Sequence, residues 1–196
     1  MKRVFDITAS LIGILFLSPV ILLIALIIKA DSKGPVFFMQ KRVGLNNKDF
    51  RMFKFRTMYT GSHKGRQITV GDRDPRVTRV GYYIRKLKLD EIAQLINVLI
   101  GDMSLVGPRP EVRKYVDLYT PEQMKILTVL PGMTDPASIR FVNESELLAR
   151  ADDPESLYVE EIMPKKLALN LEYVKEHTFF EDIKLILRTF LAILKK

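Results

Sequence analysis

The strongest constraint on this chain is an apolar run that extends from Ile7 to Ile28 and contains 22 residues without a charge. As an α-helix, a run of this length measures about 33 Å at about 1.5 Å per residue, which matches a bilayer hydrocarbon core of about 30 Å. Basic residues flank the run, with Lys2 before it and Lys33 after it. The pattern predicts a membrane helix within residues 1–33.

A signal peptide and the buried core helix of a soluble protein are the two alternatives to a membrane helix. A signal peptide usually has a shorter apolar region that ends at a small-residue cleavage site. Here the apolar run is long and continues into Lys29 without a clear cleavage site. The membrane helix is therefore the favoured interpretation.

Ser18 and Pro19 lie in the middle of the apolar run. Proline removes one helical hydrogen bond and clashes with the preceding turn, so it kinks a helix, and a serine hydroxyl can bond to a freed carbonyl. Because both flanks are basic, the distribution of positive charge places neither end outside the cell. From the residues alone, a helix that bends at Pro19 and returns to the same face is as well supported as a straight span.

The composition excludes several classes of active site. The 196 residues suffice for one domain with or without an appendage, and a hydrophobic content of 47% is ample for a core. The absence of cysteine excludes disulfides, thiolate catalysis and cysteine-based zinc sites, and only two histidines argue against a Ser-His-Asp triad. The formal charge of +8 indicates an anionic partner, which nucleic acid, anionic lipid and a nucleotide-type substrate all satisfy.

After the apolar run the composition becomes that of a soluble domain. Residues 36–39 and 50–55 are rich in phenylalanine and predict two short strands. The second strand interleaves aromatic and basic residues, which suits base stacking but is more typical of a strand with one buried face, the interpretation we favour. The polar, glycine-rich residues 60–76 predict a surface loop, to which Arg73 and Arg76 add positive charge.

The stretch from Arg85 to Pro110 contains the residues best suited to chemistry. An acidic pair, Asp90 and Glu91, opens an apolar-striped helix, and a glycine-proline turn that carries Arg109 follows it. A carboxylate pair between cationic groups, away from any histidine, indicates chemistry on phosphate.

The faces of this helix leave a simpler interpretation open. Asp90, Gln94 and Asn97 share one face by helical spacing. At a helix start, Asp90 could act only as an N-cap, where its charge is favourable. The opposite face is an apolar stripe of Leu89, Ile92, Leu95, Ile96 and Leu99.

The C-terminal part of the chain predicts helices over residues 144–151 and 158–177. A wide apolar stripe then occupies residues 178–196, together with Lys184 and Arg188. Such an amphipathic helix lies on a membrane surface in some proteins and packs on the core in others, and the residues support both interpretations equally.

The chain resembles the bacterial sugar transferase family, the small monotopic phosphoglycosyl transferases, in the order and spacing of several motifs. The most specific is LDE…QLxNVLxGDMSxVGPRP, which extends from Leu89 to Pro110. The matches cover residues 1 to about 134. The other motifs are Ser18-Pro19, Gln40-x-Arg42-x-Gly44, Lys54-Phe55-Arg56-Thr57-Met58, Arg76-Val77-Thr78-Arg79-Val80-Gly81 and Pro131-Gly132-x-Thr134.

The resemblance implies a reaction and an architecture. Members of this family transfer a sugar 1-phosphate from a nucleotide sugar to a polyprenyl phosphate and release the nucleoside monophosphate. We accordingly expect a UDP-sugar, undecaprenyl phosphate and the lipid bilayer as partners, and no nucleic acid. The family's proline-broken helix enters one leaflet and returns, so residues 1–33 are expected to be re-entrant, with the active site on the cytoplasmic face of the bacterial inner membrane.

The resemblance also implies roles for individual residues. Asp90 is expected to be the nucleophile that carries the sugar phosphate as a covalent intermediate, and Glu91 to handle Mg²⁺ and phosphate. Both carboxylates are therefore candidate metal ligands. Arg85 and Arg109 match family arginines around the phosphates. Further side chains in or near the matched motifs are expected to bind substrate phosphate, namely Lys54, Arg56, Arg76 and Gln94.

Two departures from the family pattern are visible. The family usually has proline where this chain has Ala93, and glycine where this chain has Asp135. The second departure, with the unfamiliar residues 135–164, leaves the identity of the sugar open. No additional N-terminal membrane helices or domain precede residue 1, so we expect the minimal form of the family.

Together these observations predict an α+β, mostly helical fold. A re-entrant membrane helix in residues 1–33 precedes a small globular cytoplasmic domain in residues 34–196, which has short strands and amphipathic interfacial helices, including residues 178–196. The sequence leaves open whether the chain forms a homodimer. The rival is a membrane-tethered basic module that binds nucleic acid or anionic lipid without catalysis, but it gives Asp90 and Glu91 no purpose, because carboxylates repel a phosphate backbone.

Overall fold

The structure is a computed structural model that describes residues 1–62 and 74–194. These residues are mostly helical with short strands, as expected. Four strands are β1 (Phe37–Val43), β2 (Asp49–Phe55), β3 (Ser104–Val106) and β4 (Gly132–Thr134). The α-helices of the described residues are α1 (Lys2–Asp31), α2 (Arg79–Lys86), α3 (Gln94–Ile100), α4 (Arg113–Val116), α5 (Pro136–Arg140), α6 (Glu144–Ala149), α7 (Pro154–Leu157), α8 (Met163–Glu176) and α9 (Phe179–Leu194).

Helix α1 contains the whole apolar run. Among the described residues it is the one helix long and apolar enough to cross a bilayer, and only 11% of its most apolar window is buried, which argues against a soluble core helix. Pro19 lies inside α1 without ending it, and Ser18 Oγ donates to the carbonyl of Leu15 at 2.8 Å, as a serine beside a freed carbonyl can.

The N-terminal end of α1 is fastened to the globular domain by polar contacts. Arg3 donates to the carbonyls of Val98 (2.6 Å) and Leu99 (3.0 Å), which are among the last carbonyls of α3 and lack helical partners. Buried Asp6 accepts from Ser104 Oγ at 2.8 Å at the start of β3. These contacts attach the first turns of α1 to α3 and β3.

The C-terminal end of α1 is fastened to the same domain. Ile24 and Ile28 are buried in a cluster with Phe55 of β2. Arg56, which follows Phe55, donates to the carbonyls of Ser32 (2.7 Å) and Lys33 at the end of the helix. Both ends of α1 therefore contact one globular domain, while most large side chains between them are exposed.

Strands β1 and β2 form an antiparallel ribbon whose register extends from Phe37 opposite Phe55 to Val43 opposite Asp49. Both strands exist as predicted, but β1 continues to Val43, four residues beyond the expected end. The tight connection is formed by Leu45–Asn47, in which two asparagines adopt positive φ, as asparagine tolerates.

The ribbon is covered on both faces, so the expectation of a single buried face is wrong. Phe55 packs with Ile84 and Ala93 on one face. Met52 packs with Val98 and Met103 on the other. The residues that pack on the two faces come from distant parts of the sequence. The alternation within one strand therefore does not predict them.

Strands β3 and β4 pair in parallel and bring two turns together. Gly107 N donates to the carbonyl of Thr134 at 3.0 Å, and Gly132 N donates to the carbonyl of Pro108 at 3.0 Å. A Cβ atom at Gly132 would lie 2.1 Å from Gly107 N, so only glycine permits this approach. The pairing fixes the turn that carries Arg109 against the segment that leads into α5.

The C-terminal helices build a second core. The helix predicted over residues 158–177 is present, although its first turn, Tyr158–Ile162, is π-helical and runs without a break from α7 into α8. Helix α9 packs on the core through one face and exposes a second apolar face. Its buried Leu185 packs with Val106 and Tyr173. Its outer face leaves several large side chains exposed, namely Phe180, Leu187, Phe190 and Leu191.

Candidate active site

The two candidate carboxylates lie on one turn of 3₁₀ helix, Leu89–Ala93, that leads directly into α3. Lys88 precedes the turn with a φ of 57°, a left-handed conformation that costs an ordinary side chain free energy. Lys88 therefore occupies the N-cap position, and the interpretation of Asp90 as an N-cap is wrong. Successive residues of a 3₁₀ helix point about 120° apart, so the Asp90 and Glu91 side chains diverge.

Two cations converge on Glu91 from different elements. Lys54 Nζ on β2 lies 3.4 Å from Glu91 Oε1. Arg109 donates from Nη1 to Glu91 Oε2 at 3.2 Å and from Nη2 to Oε1, which gives a bidentate pair. Both oxygens of this carboxylate are thus engaged by protein cations.

Asp90 is held much more loosely than its neighbour. Its buried carboxylate forms one long ion pair, in which Oδ2 lies 4.0 Å from Lys54 Nζ. Within residues 1–62 and 74–194 it accepts no hydrogen bond. Asp90 therefore presents carboxylate oxygens that a substrate or a metal ion can engage.

Burial and the cation set shift the pKa values of the two carboxyls in opposite directions. Burial raises the pKa of Asp90, although the charges of Lys54 and Arg85 oppose the rise. Burial also acts against ionisation of Glu91, but Arg109 and Lys54 outweigh it and lower the pKa of that carboxyl. Neighbouring cations thus favour the ionised form of Asp90, and burial works against it.

The cations respond to the same surroundings. Burial lowers the pKa of Lys54, and the charges of Glu91 and Asp90 offset only part of that effect. The charge of Glu91 raises the pKa of Arg109 against the effect of burial. Arg109 and Glu91 therefore stabilise each other as a fixed charged pair.

The turn that carries Arg109 is held at both ends. The backbone N–H of Arg109 donates to Asp135 Oδ2 at 2.7 Å. Two residues further on, Glu111 accepts from Arg42 Nη1 at 2.9 Å and from the hydroxyl of Tyr158. The position of the Arg109 side chain is accordingly set by contacts from β1, the start of α5 and the π-helical turn.

Arg85 and Gln94 flank the carboxylates in the sequence, but neither side chain forms a hydrogen bond or ion pair with them in the described residues. Arg85 acts on Asp90 through its charge, and its side chain has no hydrogen bond or ion pair among these residues. Gln94 is fully buried four residues after Asp90, and neither of its side-chain amide atoms has a hydrogen-bond partner in the part of the chain that the structure describes. A buried unpaired polar atom costs on the order of 1–3 kcal/mol, so the Gln94 amide retains strong donor and acceptor capacity.

Arg56 and Arg76 are not brought to the carboxylates. Arg56 is buried and holds the end of α1 through carbonyls of Ser32 and Lys33. Arg76 forms a bidentate pair with Asp74, with Nη2 2.6 Å from Oδ2. Most of the loop expected over residues 60–76, including Arg73, lies outside the described residues.

The sequence alone does not single out the residues that clamp the arginine turn. Arg42 and Glu111 are 69 positions apart, and their spacing carries no periodic signal. Asp135 is visible only as a departure from the family's glycine, and its contact with Arg109 depends on the pairing of β3 with β4.

The residues at the site fit a magnesium ion whose coordination is completed by substrate. In the part of the chain that the structure describes, no group of three or more His, Cys, Asp or Glu could hold a metal. Mg²⁺ does not require such a cage, because it usually binds one or two carboxylates together with substrate phosphates and water. The Asp90 carboxylate accepts no hydrogen bond within the described residues, so it remains available to such an ion.

Comparisons with known proteins give the chain its family. The family described as bacterial sugar transferase matches residues 1–196. An undecaprenyl-phosphate glucose phosphotransferase of Komagataeibacter xylinus is 42% identical over 96% of this chain and 35% of its own length. A UDP-N-acetylgalactosamine-undecaprenyl-phosphate N-acetylgalactosaminephosphotransferase of Aeromonas hydrophila is 40% identical over 98% of this chain and 43% of its own length.

A third relative is more similar in size. The UDP-glucose:undecaprenyl-phosphate glucose-1-phosphate transferase of Caulobacter vibrioides is 36% identical over 98% of this chain and 69% of its own length. The chain spans less than half the length of the first two relatives and about two thirds of the third. With a family match along its whole length, this chain belongs to the bacterial sugar transferase family.

Proposed function

We propose that this chain transfers a sugar 1-phosphate from a UDP-sugar to undecaprenyl phosphate and releases uridine monophosphate, as a membrane step in polysaccharide or glycoconjugate biosynthesis. The activities for which the relatives from Komagataeibacter, Aeromonas and Caulobacter are named support the substrate classes. The observation that carries the proposal is the carboxylate of Asp90, which has no hydrogen-bond partner in the described residues and lies beside cations that Glu91 keeps in place.

In the first step, a carboxylate oxygen of Asp90 attacks the β-phosphorus of the nucleotide sugar. The bond between that phosphorus and the bridging oxygen breaks, and the nucleoside monophosphate leaves with the bridging oxygen. The product is an acyl-phosphate on Asp90 that carries the sugar. Covalent catalysis of this kind divides one difficult transfer into two easier ones.

In the second step, a phosphate oxygen of undecaprenyl phosphate attacks the same phosphorus. The acyl-phosphate bond breaks, the carboxylate of Asp90 is restored, and the lipid leaves with a diphosphate-linked sugar. Neither step requires a proton, because both nucleophiles are anions. An enzyme that uses one nucleophile for donor and acceptor in turn shows ping-pong kinetics.

The surrounding residues act through charge and position. Glu91 fixes the plane of the Arg109 guanidinium through its bidentate pair with Nη1 and Nη2, and the N–H groups that this pair leaves suit phosphate oxygens. Lys54 and Arg85 lower the repulsion between Asp90 and the phosphates. In phosphoryl transfer, such positioning and electrostatic stabilisation account for most of the catalytic effect.

Mg²⁺ is part of the proposal. Asp90 would hold it together with substrate phosphate oxygens, and the ion would neutralise charge on the diphosphate. Glu91, the second candidate ligand, would have to give up a contact with Lys54 or Arg109 to join it. Removal of Mg²⁺ with EDTA should therefore abolish transfer, and added Mg²⁺ should restore it. Simple binding to a phosphate backbone, the rival activity, would largely survive EDTA. The phenylalanines of β2 also give that rival little support, because Phe55 is buried in the core.

We further propose that α1 is re-entrant, with both ends on the cytoplasmic face of the inner membrane. The contacts of Arg3, Asp6 and Arg56 support this arrangement, since they fasten both ends of α1 to one domain. The exposed apolar faces of α1 and α9 would then lie in the bilayer and at its surface.

Single cysteines test this topology, because the chain has none of its own. Val4→Cys and Lys29→Cys place exposed thiols near the two ends of α1. Both should resist an impermeant reagent added to intact cells and react after permeabilisation. Labelling of the Val4→Cys variant from outside would show that α1 spans the membrane.

A donor panel tests the activity itself. The protein in detergent, with undecaprenyl phosphate and Mg²⁺, should release nucleoside monophosphate from one or a few nucleotide sugars and yield a labelled lipid. Release without undecaprenyl phosphate that continues over many turnovers would instead indicate a hydrolase.

A further inference from the structure

Arg109 lies between two prolines, so it provides the only backbone N–H donor in the sequence Pro108-Arg109-Pro110. That donor is taken up by a side chain rather than by the backbone, because it bonds to Asp135 Oδ2 at 2.7 Å. Asp135 itself has no solvent-exposed surface. The backbone of Arg109, which follows β3, is thus held by the buried carboxylate of the residue that follows β4.

The second oxygen of Asp135 is also engaged. Its Oδ1 accepts from the backbone N–H of Ser138, which caps the start of α5. Asp135 therefore bonds to two backbone donors with two different oxygens. A carboxylate can accept on both sides, whereas an asparagine amide has only one oxygen and would turn its NH₂ group toward one of the two donors.

The surrounding pairing makes this contact part of a ladder. Gly132 N donates to Pro108, and Gly107 N donates to Thr134, so the two segments are joined by backbone hydrogen bonds immediately before Asp135. The Asp135 side chain adds the next connection at Arg109. Beyond the ladder, the Arg109 side chain extends to Glu91 and thus to the carboxylate pair.

We propose that Asp135 is a positioning residue for Arg109, which fixes the arginine turn so that the guanidinium fork meets the substrate diphosphate in one orientation. The proposal rests on the proposed function only for the identity of that diphosphate. It gives a purpose to a position at which the family pattern has glycine, since glycine has no side chain to accept from Arg109. In this chain the start of α5 and the phosphate site share one residue.

Asp135→Asn is the sharpest variant, because asparagine caps a helix as well as aspartate does. With its oxygen on the Ser138 N–H, the amide NH₂ faces Arg109 and that hydrogen bond is lost. Asp153→Asn is the matched control. Asp153 caps α7 with a single oxygen, Oδ1, which accepts from both Glu155 N and Ser156 N, so asparagine preserves its contacts.

Two measurements follow the consequences. Amide hydrogen exchange of the peptide over residues 105–112 should show faster exchange at Arg109 in Asp135→Asn and no change in Asp153→Asn. The same variant should lose about 10- to 100-fold in kcat/KM and bind uridine diphosphate more weakly by a similar factor, because a small misplacement of a phosphate-binding group has effects of this order. Asp153→Asn should match wild type in both.

A double-mutant cycle separates positioning from general damage to the fold. If Asp135 acts through Arg109, Asp135→Asn should add little to the loss caused by Arg109→Lys. Additive losses, unchanged exchange at Arg109, or wild-type activity despite faster exchange would each overturn the proposal. If Asp135→Asn does not fold, Asp135→Ser takes its place, since serine also caps α5 but is too short to reach Arg109.

The outcome also distinguishes this proposal from the proposed function. A wild-type chain that binds uridine diphosphate but transfers no sugar phosphate contradicts the proposed function, and the Asp135 proposal is then decided by the dissociation constants. A wild-type chain that does not bind this probe overturns both.

Discussion

The turn that carries Arg109 and the turn that carries Asp90 and Glu91 meet at one site but are held in different ways. The arginine turn is bonded to Asp135 at its centre and to Arg42 through Glu111. The carboxylate turn is a short 3₁₀ segment that follows a lysine in a left-handed conformation. Hydrogen bonds from polar side chains hold the arginine turn, whereas the carboxylate turn is held by packing of Ala93 in the core and by the ion pairs of Glu91.

This difference assigns distinct tasks to two adjacent carboxylates. Glu91 is a structural anion, because two cations occupy its oxygens and lower its pKa. Asp90 lacks such partners and is the group with freedom to react. The site therefore combines two cations in fixed positions, Lys54 and Arg109, with one carboxylate that is available as a nucleophile. A covalent phosphoryl transfer requires this arrangement.

The largest effect should follow from removal of the uncommitted carboxylate. Asp90→Asn should reduce transfer by at least about 10⁴-fold, since loss of a nucleophile leaves only binding and electrostatics. Membrane association and thermal unfolding should remain close to wild type, because the Asp90 carboxylate accepts no hydrogen bond in the described residues. Asp102→Asn, an isosteric change twelve residues away, is the control for steady-state kinetics. Transfer by Asp90→Asn at near wild-type rates would return Asp90 to a purely structural role.

Removal of the Glu91 carboxylate should mainly reduce the stability of the fold. Glu91→Gln leaves the charges of Arg109 and Lys54 without their partner in a buried site, so it should reduce the free energy of unfolding by about 3 kcal/mol. Denaturant unfolding in detergent measures this. Glu161→Gln breaks an exposed pair and should change stability by less than about 0.5 kcal/mol.

The contribution of Glu91 should also depend on pH. Its pKa is lowered in the fold, so the stabilisation is fully present above the ordinary glutamate value of about 4.3 and is lost as the pH falls through the folded-state pKa. The stability difference between wild type and Glu91→Gln should therefore shrink on acidification. A difference that grows toward acidic pH would contradict the assignment.

The role of Arg109 can be tested without loss of its charge. Arg109→Lys keeps the charge but loses the bidentate fork, so activity should fall by about 30- to 1000-fold, equivalent to about 2–4 kcal/mol. Initial rates at saturating and limiting donor show whether kcat or KM changes. Wild-type activity in this variant would reassign Arg109 to the support of Glu91 alone.

The smallest expected effect concerns the entry to the carboxylate turn. Lys88→Gly relieves a left-handed backbone and should leave stability unchanged or raise it by up to about 1 kcal/mol. Lys86→Gly, at the end of α2, should lower stability by about 0.5–1 kcal/mol. Equal destabilisation by the two changes in denaturant unfolding would argue against strain at Lys88.

Much of the fold could be predicted from local patterns. The apolar run identified α1, and the phenylalanine-rich segments identified the β1–β2 ribbon, because both signals are contained in consecutive residues. The burial of the second face of the ribbon could not be predicted, because Val98 and Met103, which pack on it, come from a different part of the chain. The π-helical turn at Tyr158–Ile162 could not be predicted either, because helical periodicity continues through it.

The site could be predicted in part. Asp90, Glu91 and Arg109 could be predicted as site residues because they lie in one motif. The left-handed conformation of Lys88, which leads into a 3₁₀ turn instead of an N-capped α-helix, has no signal in the sequence. Arg56 was expected near phosphate on the basis of its motif alone, whereas its contacts with the end of α1 depend on the tertiary packing.

The most direct test of the account is a half-reaction with donor alone. Wild-type protein with Mg²⁺ and an accepted UDP-sugar labelled at the β-phosphate should release uridine monophosphate in an amount no greater than the enzyme present. The label should remain on a peptide that contains Asp90, and undecaprenyl phosphate added afterwards should remove it to the lipid. Asp90→Asn should trap no label. Strictly ternary kinetics, with no label on the protein and no release before the acceptor is added, would contradict the covalent role of Asp90.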